Sequence, residues 1–77
     1  MVKILFFGHL AEITGVSEVV WGNCPDDTAQ LREQLLAQYP SMAATPFTIA
    51  VNRQVISSDI PLLDGAEIAF LPPFSGG

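Results

Sequence analysis

The chain has 77 residues, and its eight Asp and Glu residues outnumber its three Lys and Arg residues, for a net charge of −5. This length predicts one small domain, close to the lower limit at which a single core is stable without disulfides or metals. The three basic residues, Lys3, Arg32 and Arg53, are too few to build a phosphate-binding surface. We therefore expect no nucleic-acid partner and favour a basic protein surface as the complement of this acidic chain.

Cysteine content and hydropathy indicate the cellular compartment. Cys24 is the single cysteine, which leaves no internal disulfide and no cysteine cluster for zinc or iron–sulfur. The amino terminus leads directly into a short strand-like run rather than a signal peptide. No apolar run approaches the roughly 20 residues that span a bilayer. We expect a cytoplasmic protein with no membrane partner.

The first part of the chain predicts two strands. Residues 2–8 are β-prone, almost continuously apolar and closed by a glycine, as is typical of a central strand or one covered on both faces. Residues 9–15 predict one helical turn or an irregular connection. Residues 17–21 predict a second strand, which ends at the turn signal Gly22-Asn23.

One substantial helix is predicted over residues 29–39. Asp27, with Gln30 three residues later, resembles a capping box, although Thr28 could cap instead. Apolar side chains recur on one helical face at Leu31, Leu35 and Tyr39. Pro40 is expected to stop the helix.

The second part of the chain predicts three strands. They are residues 47–51, 55–56 and 67–71. The connections are a loop, a tight reversal, and a crossover that ends in an Asp-Gly turn, over residues 41–46, 52–54 and 57–65. Within residues 47–51 the alternation predicts that Phe47, Ile49 and Val51 face inward.

The predicted order is β-β-α-β-β-β, which most simply forms a mixed sheet with the helix packed across one face. The first and last strands would lie side by side, parallel, at the centre of the sheet. This α+β arrangement is a ubiquitin-like β-grasp. We expect a single domain over residues 1–77, with residues 72–77 as a protruding tail.

No residue pattern supports an independent enzyme. His9, the single histidine, lacks a nucleophile or an orienting partner at a recognisable spacing and is interpreted as a turn or surface residue. Cys24 is interpreted as a structural or incidental thiol. Asp26 and Asp27 are more simply a helix cap than a metal site. Because no glycine-rich phosphate-binding loop occurs, any ATP must be bound by another protein.

The last residues of the chain combine stiffness with a slim tip. Pro72 and Pro73 fix φ and lack an N–H, so they cannot continue a sheet and favour an extended exit. Gly76 and Gly77 carry no side chain, so the terminal carboxylate could enter a buried site. A carboxylate can be activated there as an acyl-adenylate by attack on the α-phosphate of ATP. The alternative is a frayed end without function.

Residues 50–52 and 63–77 resemble the small subunit of molybdopterin synthase. Residues 2–7 and the helix that begins near Thr28 are also similar, so the resemblance covers nearly the whole chain. Its most specific part is the ending, in which two prolines, a hydrophobic residue and a small residue precede Gly-Gly.

The resemblance implies a β-grasp sulfur carrier rather than a catalytic chain. In that family an E1-like activating enzyme uses ATP to adenylate the terminal glycine, which is converted to a thiocarboxylate. The tail then enters the large synthase subunit, which holds the active site, and sulfur passes to cyclic pyranopterin monophosphate. By this resemblance Gly77 carries the sulfur, the chain itself binds no cofactor or metal, and two small subunits assemble with two large ones.

The same resemblance implies that the tail and the end of the last strand bind the partner. The residues concerned are Phe70, Leu71, Pro72, Pro73, Phe74, Ser75 and Gly76. Phe74 stands where the family usually has a smaller branched aliphatic side chain, a departure that bears on the shape of the partner's pocket and not on the chemistry.

Three alternatives remain open at this point. A related carrier could deliver sulfur to thiazole synthesis or to tRNA, although the Pro72-Pro73 pair favours the molybdopterin branch. A ubiquitin-type modifier could use the same carboxylate, but such chains are usually extended through several lysines and this sequence has only Lys3. The third is a plain binding module with an incidental tail.

Overall fold

Five strands, two α-helices and one 3₁₀ helix make up the computed structural model, which describes residues 1–73. The strands are β1 (Val2–Phe6), β2 (Glu18–Trp21), β3 (Thr48–Val51), β4 (Gln54–Val55) and β5 (Glu67–Leu71). The helices are α1 (His9–Thr14), α2 (Thr28–Gln38) and the 3₁₀ helix Pro40–Ala44.

The strands form one mixed sheet in the order β2-β1-β5-β3-β4. β1 and β5 are parallel, with Phe6 opposite Phe70, and the other pairs are antiparallel. The predicted central pair is therefore confirmed. With α2 packed across one face, the architecture is the α+β, ubiquitin-like β-grasp expected from the sequence.

The core lies between the sheet and α2. Leu31 and Leu35 of α2 are fully buried against the inward side chains of the central strands. Three aromatic contacts close one end of the core, Phe6–Phe70, Phe47–Phe70 and Phe6–Tyr39, with ring centroids 5.7, 5.2 and 5.9 Å apart. Such tilted and edge-on aromatic pairs stabilise the fold beyond the contribution of the apolar area that they bury.

The amino-terminal cap of α2 is the one indicated by the Asp-Asp-Thr sequence. The Gln30 backbone N–H donates to Asp27 Oδ1 at 2.8 Å. In return, Gln30 Oε1 accepts from the Asp26 backbone N–H at 2.7 Å. This reciprocal pair satisfies donors that a helix start leaves free. Asp27 is therefore the cap, and Thr28 serves another purpose.

The turn between β3 and β4 confirms the predicted tight reversal. Asn52 and Arg53 have φ of 50° and 70°, the left-handed values that a two-residue hairpin requires. The long crossover that follows is attached to the start of α2. Thr28 N–H donates to Ile60 O, and Leu62 N–H donates to Asp26 O, both at 3.0 Å.

The segment predicted as a loop after α2 contains the 3₁₀ helix Pro40–Ala44, so that prediction is wrong. Pro40 ends α2 as predicted, but it also begins the next helical turn, where a missing N–H has no cost. Met42 anchors this turn and is buried in the core. A five-residue turn with one buried side chain has no periodic pattern that the sequence could reveal.

One strand prediction also needs correction. The first strand ends at Phe6, and of the two alternatives for its apolar run the central strand is confirmed, whereas coverage on both faces is wrong because Lys3 and Phe7 are exposed. The predicted inward orientation of Phe47, Ile49 and Val51 is confirmed, since Ile49 and Val51 belong to the core and Phe47 packs against it, although Ala50 on the other face is equally buried. Alanine is small enough to be covered by neighbouring side chains even on the outer face of the sheet.

Candidate functional site

The last described residues of the chain follow β5, a central strand of the sheet. β5 ends at Leu71, and Pro72 and Pro73 follow as exposed residues outside any strand. The Phe7 N–H donates to Phe70 O at 3.0 Å at the end of the β1–β5 ladder. In a parallel ladder the next bond would come from the N–H of residue 72, which proline lacks. The prolines therefore end the sheet, as predicted.

The predicted site residues fall into three groups, of which the third is the single residue Phe70, described below. Phe74, Ser75, Gly76 and Gly77 lie outside the described residues. Pro72 and Pro73 are exposed and Leu71 is half-buried at the end of β5. Only the residues of this second group are placed by the structure where a partner could contact them.

Phe70 requires a correction. Its side chain is 0% exposed and packs between the rings of Phe6 and Phe47. Successive side chains of a strand point to opposite faces, so Phe70 faces α2 while Leu71 faces away from it. Phe70 therefore belongs to the core of this chain and not to a partner-facing surface.

The side of the sheet opposite α2, here called the open face, carries apolar residues that the sequence analysis did not single out. The strand registers place these side chains on it: Lys3, Leu5, Glu18, Val20, Thr48, Ala50, Val55, Glu67, Ala69 and Leu71. Phe7 continues the outward alternation of β1 beside Leu71. Val20, Val55 and Phe7 are 54, 56 and 45% exposed.

The charges of the open face are matched. Lys3 Nζ lies 3.6 Å from Glu18 Oε1, and Arg53 Nε lies 3.8 Å from Glu67 Oε1. These exposed pairs add little stability, but they leave the apolar residues between them without a surplus charge of either sign. An apolar area with a polar border is typical of a protein-binding surface. In the sequence, the open face was indicated by the unbroken apolar run of residues 4–7. A strand with one face toward solvent would instead alternate apolar and polar residues.

The remaining candidates lie apart from the tail chemistry. His9 is exposed, with Nδ1 2.8 Å from Glu12 Oε2 on the next turn. Cys24 is half-buried, and its thiol donates to Pro25 O at 3.4 Å. Within residues 1–73 no group of three or more His, Cys, Asp or Glu side chains is arranged to hold a metal ion. No helix in the same part of the chain is long and apolar enough to cross a membrane.

Comparison with known proteins places this geometry in a family. Residues 4–77 match the ThiS family model. The chain is 38% identical over 82 aligned positions to the molybdopterin synthase sulfur carrier subunit of Escherichia coli (strain K12), and the alignment covers 100% of both chains. It is 34% identical to the human protein of the same name, over 99% of this chain and 93% of the human one.

Solved structures agree with this assignment. The small archaeal modifier protein 1 of Methanosarcina acetivorans superimposes with a TM-score of 0.82 at 25% identity, covering 99% of this chain and 95% of that one. A chain of the complex of subunits 1 and 2 of the molybdopterin-converting factor from Helicobacter pylori 26695 superimposes with a TM-score of 0.71 at 28% identity, covering 99% and 97%. The chain therefore belongs to the ThiS family, among the relatives of the molybdopterin synthase sulfur carrier subunits.

Proposed function

We propose that this chain is the sulfur carrier subunit of a molybdopterin synthase and that Gly77 carries the sulfur. The observation that carries the proposal is the alignment with the Escherichia coli carrier subunit, which runs end to end over both chains at 38% identity. The architecture supports it, since the tail begins at a proline pair on the central strand of the sheet.

The proposed chemistry uses one group of this chain, the terminal carboxylate. A carboxylate oxygen of Gly77 attacks the α-phosphate of ATP on an E1-like activating enzyme, and pyrophosphate leaves. Hydrosulfide then attacks the acyl carbon and displaces AMP, which leaves a thiocarboxylate. That sulfur is donated to cyclic pyranopterin monophosphate, and water cleaves the acyl–sulfur bond to restore the Gly77 carboxylate. The chain binds no cofactor in this scheme, and the catalytic groups belong to its partners.

We propose that the large synthase subunit docks on the open face, two small subunits assembling with two large ones. Leu71 and Phe7 lie on that face where the tail begins, so a partner seated there has the tail at its border. The similarity to a chain of the Helicobacter pylori complex of subunits 1 and 2 supports a partner of this kind.

Deleting Gly77 tests the chemistry. The shortened protein should fold and bind the large subunit, but it should not be loaded, because its carboxylate lies up to about 3.5 Å short of the reacting position. The measurement is intact-protein mass after incubation with activating enzyme, ATP and a sulfur donor. The wild type should exchange one oxygen for sulfur.

A chain extended past Gly77 is the second altered tail, because the extension keeps the glycine but turns its carboxylate into an unreactive amide. Both altered tails should remain unloaded. Thiocarboxylation of the shortened protein at the wild-type rate would contradict the role of Gly77.

The second candidate is a protein modifier, which the similarity to an archaeal modifier protein favours. The two functions share the adenylate and differ in the acceptor. A reconstituted mixture with the large subunit and the pterin should consume the thiocarboxylate. Protein conjugates of this chain formed in place of sulfur transfer would support the modifier instead.

A further inference from the structure

Gly8, just after β1, has a backbone conformation that depends on glycine. Its φ and ψ are 59° and −134°, and the Leu10 N–H donates to Phe7 O at 3.2 Å across it. These values are those of the first central residue of a type II′ turn, which is dominated by glycine because a side chain there is strained. The Phe7 carbonyl has no partner in the β1–β5 ladder, because Pro72 lacks the N–H that would come next. It accepts the Leu10 N–H within this turn instead.

The same residue lies against the first residue of the tail. Continuing the parallel register from Phe6 opposite Phe70 brings Gly8 opposite Pro72. A Cβ on Gly8 would lie 2.8 Å from Pro72 Cγ and 3.7 Å from Cδ. The first distance is well inside the usual carbon–carbon separation of about 3.5–4.0 Å. The Pro72 ring therefore occupies space that exists because Gly8 has no side chain.

A clash at this point would be relieved more easily on the tail side than in the paired strands. The hydrogen bond from Phe7 N–H to Phe70 O, 3.0 Å long, holds the two strands together immediately before the contact. Phe70 is fixed in the core, whereas Pro72 is exposed and is the first residue beyond the ladder. A displacement of Pro72 is passed on to Pro73, because the rings of both prolines lock φ.

We propose that Gly8 is a positioning residue, which seats the Pro72 ring and thereby sets the direction in which the tail leaves the domain. This inference rests on the proposed function, since the direction matters only if the tail must reach a reaction centre on a partner. Reaction rates depend steeply on such placement, and a misplacement of about 1 Å can cost about 100-fold.

The chain provides controls for backbone strain. Gly15 and Gly65 also have positive φ, 80° and 88°, but nothing lies within 4 Å of a Cβ built on either residue. Alanine at Gly15 therefore introduces left-handed strain without a collision. Gly15→Ala controls for the loss of a positive-φ glycine, although its φ and ψ of 80° and 3° lie in the milder αL region, and the contact with Pro72 is isolated by the Pro72→Ala background described below.

The experiment uses full-length carrier, thiocarboxylated by its activating enzyme and mixed with the large subunit and pterin. Single-turnover sulfur transfer and affinity for the large subunit are measured separately. Gly8→Ala should lower the transfer rate about tenfold or more, because a Cβ displaces the ring by a sizeable fraction of 1 Å. Its affinity should stay within about twofold of wild type, as should both quantities for Gly15→Ala. Melting temperatures establish that each variant is folded.

Pro72→Ala provides the second arm, because alanine lacks the Cγ and Cδ atoms that the new Cβ would meet. In that background Gly8→Ala should lower the transfer rate by no more than about twofold, as expected for two coupled residues. Equal transfer rates for Gly8→Ala and Gly15→Ala, or an undiminished Gly8→Ala defect in the Pro72→Ala background, would overturn the positioning role. If wild-type protein accepted no sulfur, the proposed function itself would fail, which is a different result.

Discussion

Thr28 joins the start of α2 to the crossover through one buried hydroxyl. The hydroxyl donates to Asp59 Oδ1 at 2.8 Å and accepts from the Ile60 N–H at 3.0 Å. Arg32 then donates to Asp59 Oδ2 at 3.1 Å. Because Asp27 supplies the helix cap, the Thr28 side chain is free to hold the crossover against α2. Removing it would leave the partly buried Ile60 N–H without this acceptor and Asp59 without one of its donors, which should lower the stability of the fold.

Asp59 should make the stability of the fold dependent on pH. The hydrogen bond from Arg32, followed by the one from Thr28, holds the pKa of Asp59 below its usual value. A depressed pKa stabilises the folded state above the ordinary carboxyl range, and this contribution is lost as the pH falls through the folded-state pKa. We expect Asp59→Asn to be less stable than wild type at neutral pH and to converge with it in acid.

Urea denaturation midpoints between neutral pH and about pH 3, which brackets the usual Asp range, measure this convergence. Glu33→Gln is the control, because it removes an exposed carboxylate from α2 outside the Asp59 contacts. A difference between Asp59→Asn and wild type that stays constant with pH would contradict the assignment.

The central position of β1 and β5 explains why the first strand is almost continuously apolar. β1 pairs with β2 and β5, and β5 pairs with β1 and β3, so neither has a free edge. Their inward side chains form the core, while their outward side chains include Leu5 and Leu71 on the open face. The apolar run of the first strand therefore serves two surfaces, the core and a face available to a partner.

Hydrogen exchange should rank the elements accordingly. The slowest amides are expected in β1 and β5, because their hydrogen bonds are flanked on both sides and lie over the most buried part of the core. α1 and the two-residue β4 should exchange fastest and serve as internal references. Greater protection in α2 than in both central strands would show that the helix, not the strand pair, is the most stable element.

The whole molecule has two unlike sides. One side of the sheet is covered by α2, and the other is the open face, with Pro72, the first residue after β5, at its border. The chain as a whole carries a net charge of −5. The charged residues at the open face, in contrast, form ion pairs and leave no surplus charge on that apolar surface. Such a distribution favours fast approach to a basic partner, followed by burial of the apolar residues.

Phe7→Ala tests the open face as a docking surface. The substitution should weaken binding to the large subunit by about 1–3 kcal/mol, the range of an aromatic contact residue. Because the Phe7 side chain is 45% exposed, the free energy of unfolding should change by less than the free energy of binding. Leu63→Ala is the control, since Leu63 is 79% exposed in the crossover and lies off the open face. If titration calorimetry shows that both variants bind like wild type, Phe7 is not part of the interface.

Much of the fold was predictable because its signals are local. The cap at Asp27, the stripe of Leu31 and Leu35, and the reversal at Asn52 each depend on neighbouring residues, and each was confirmed. The 3₁₀ helix at Met42 and the burial of Phe70 depend on contacts with residues distant in sequence. An aromatic residue next to the tail is equally compatible with a core or a surface position until its strand register is known.

The sequence by itself determined the order of the five strands and the main helix, the resemblance to a sulfur carrier and the point at which the prolines end the sheet. These properties follow from local backbone chemistry, since a proline lacks an N–H in any fold. Only the tertiary structure decided which outward residues form the open face and that Gly8 lies beneath Pro72. The parallel pairing of β1 and β5 joins residues more than 60 positions apart, and no local pattern specifies what such a pairing brings into contact.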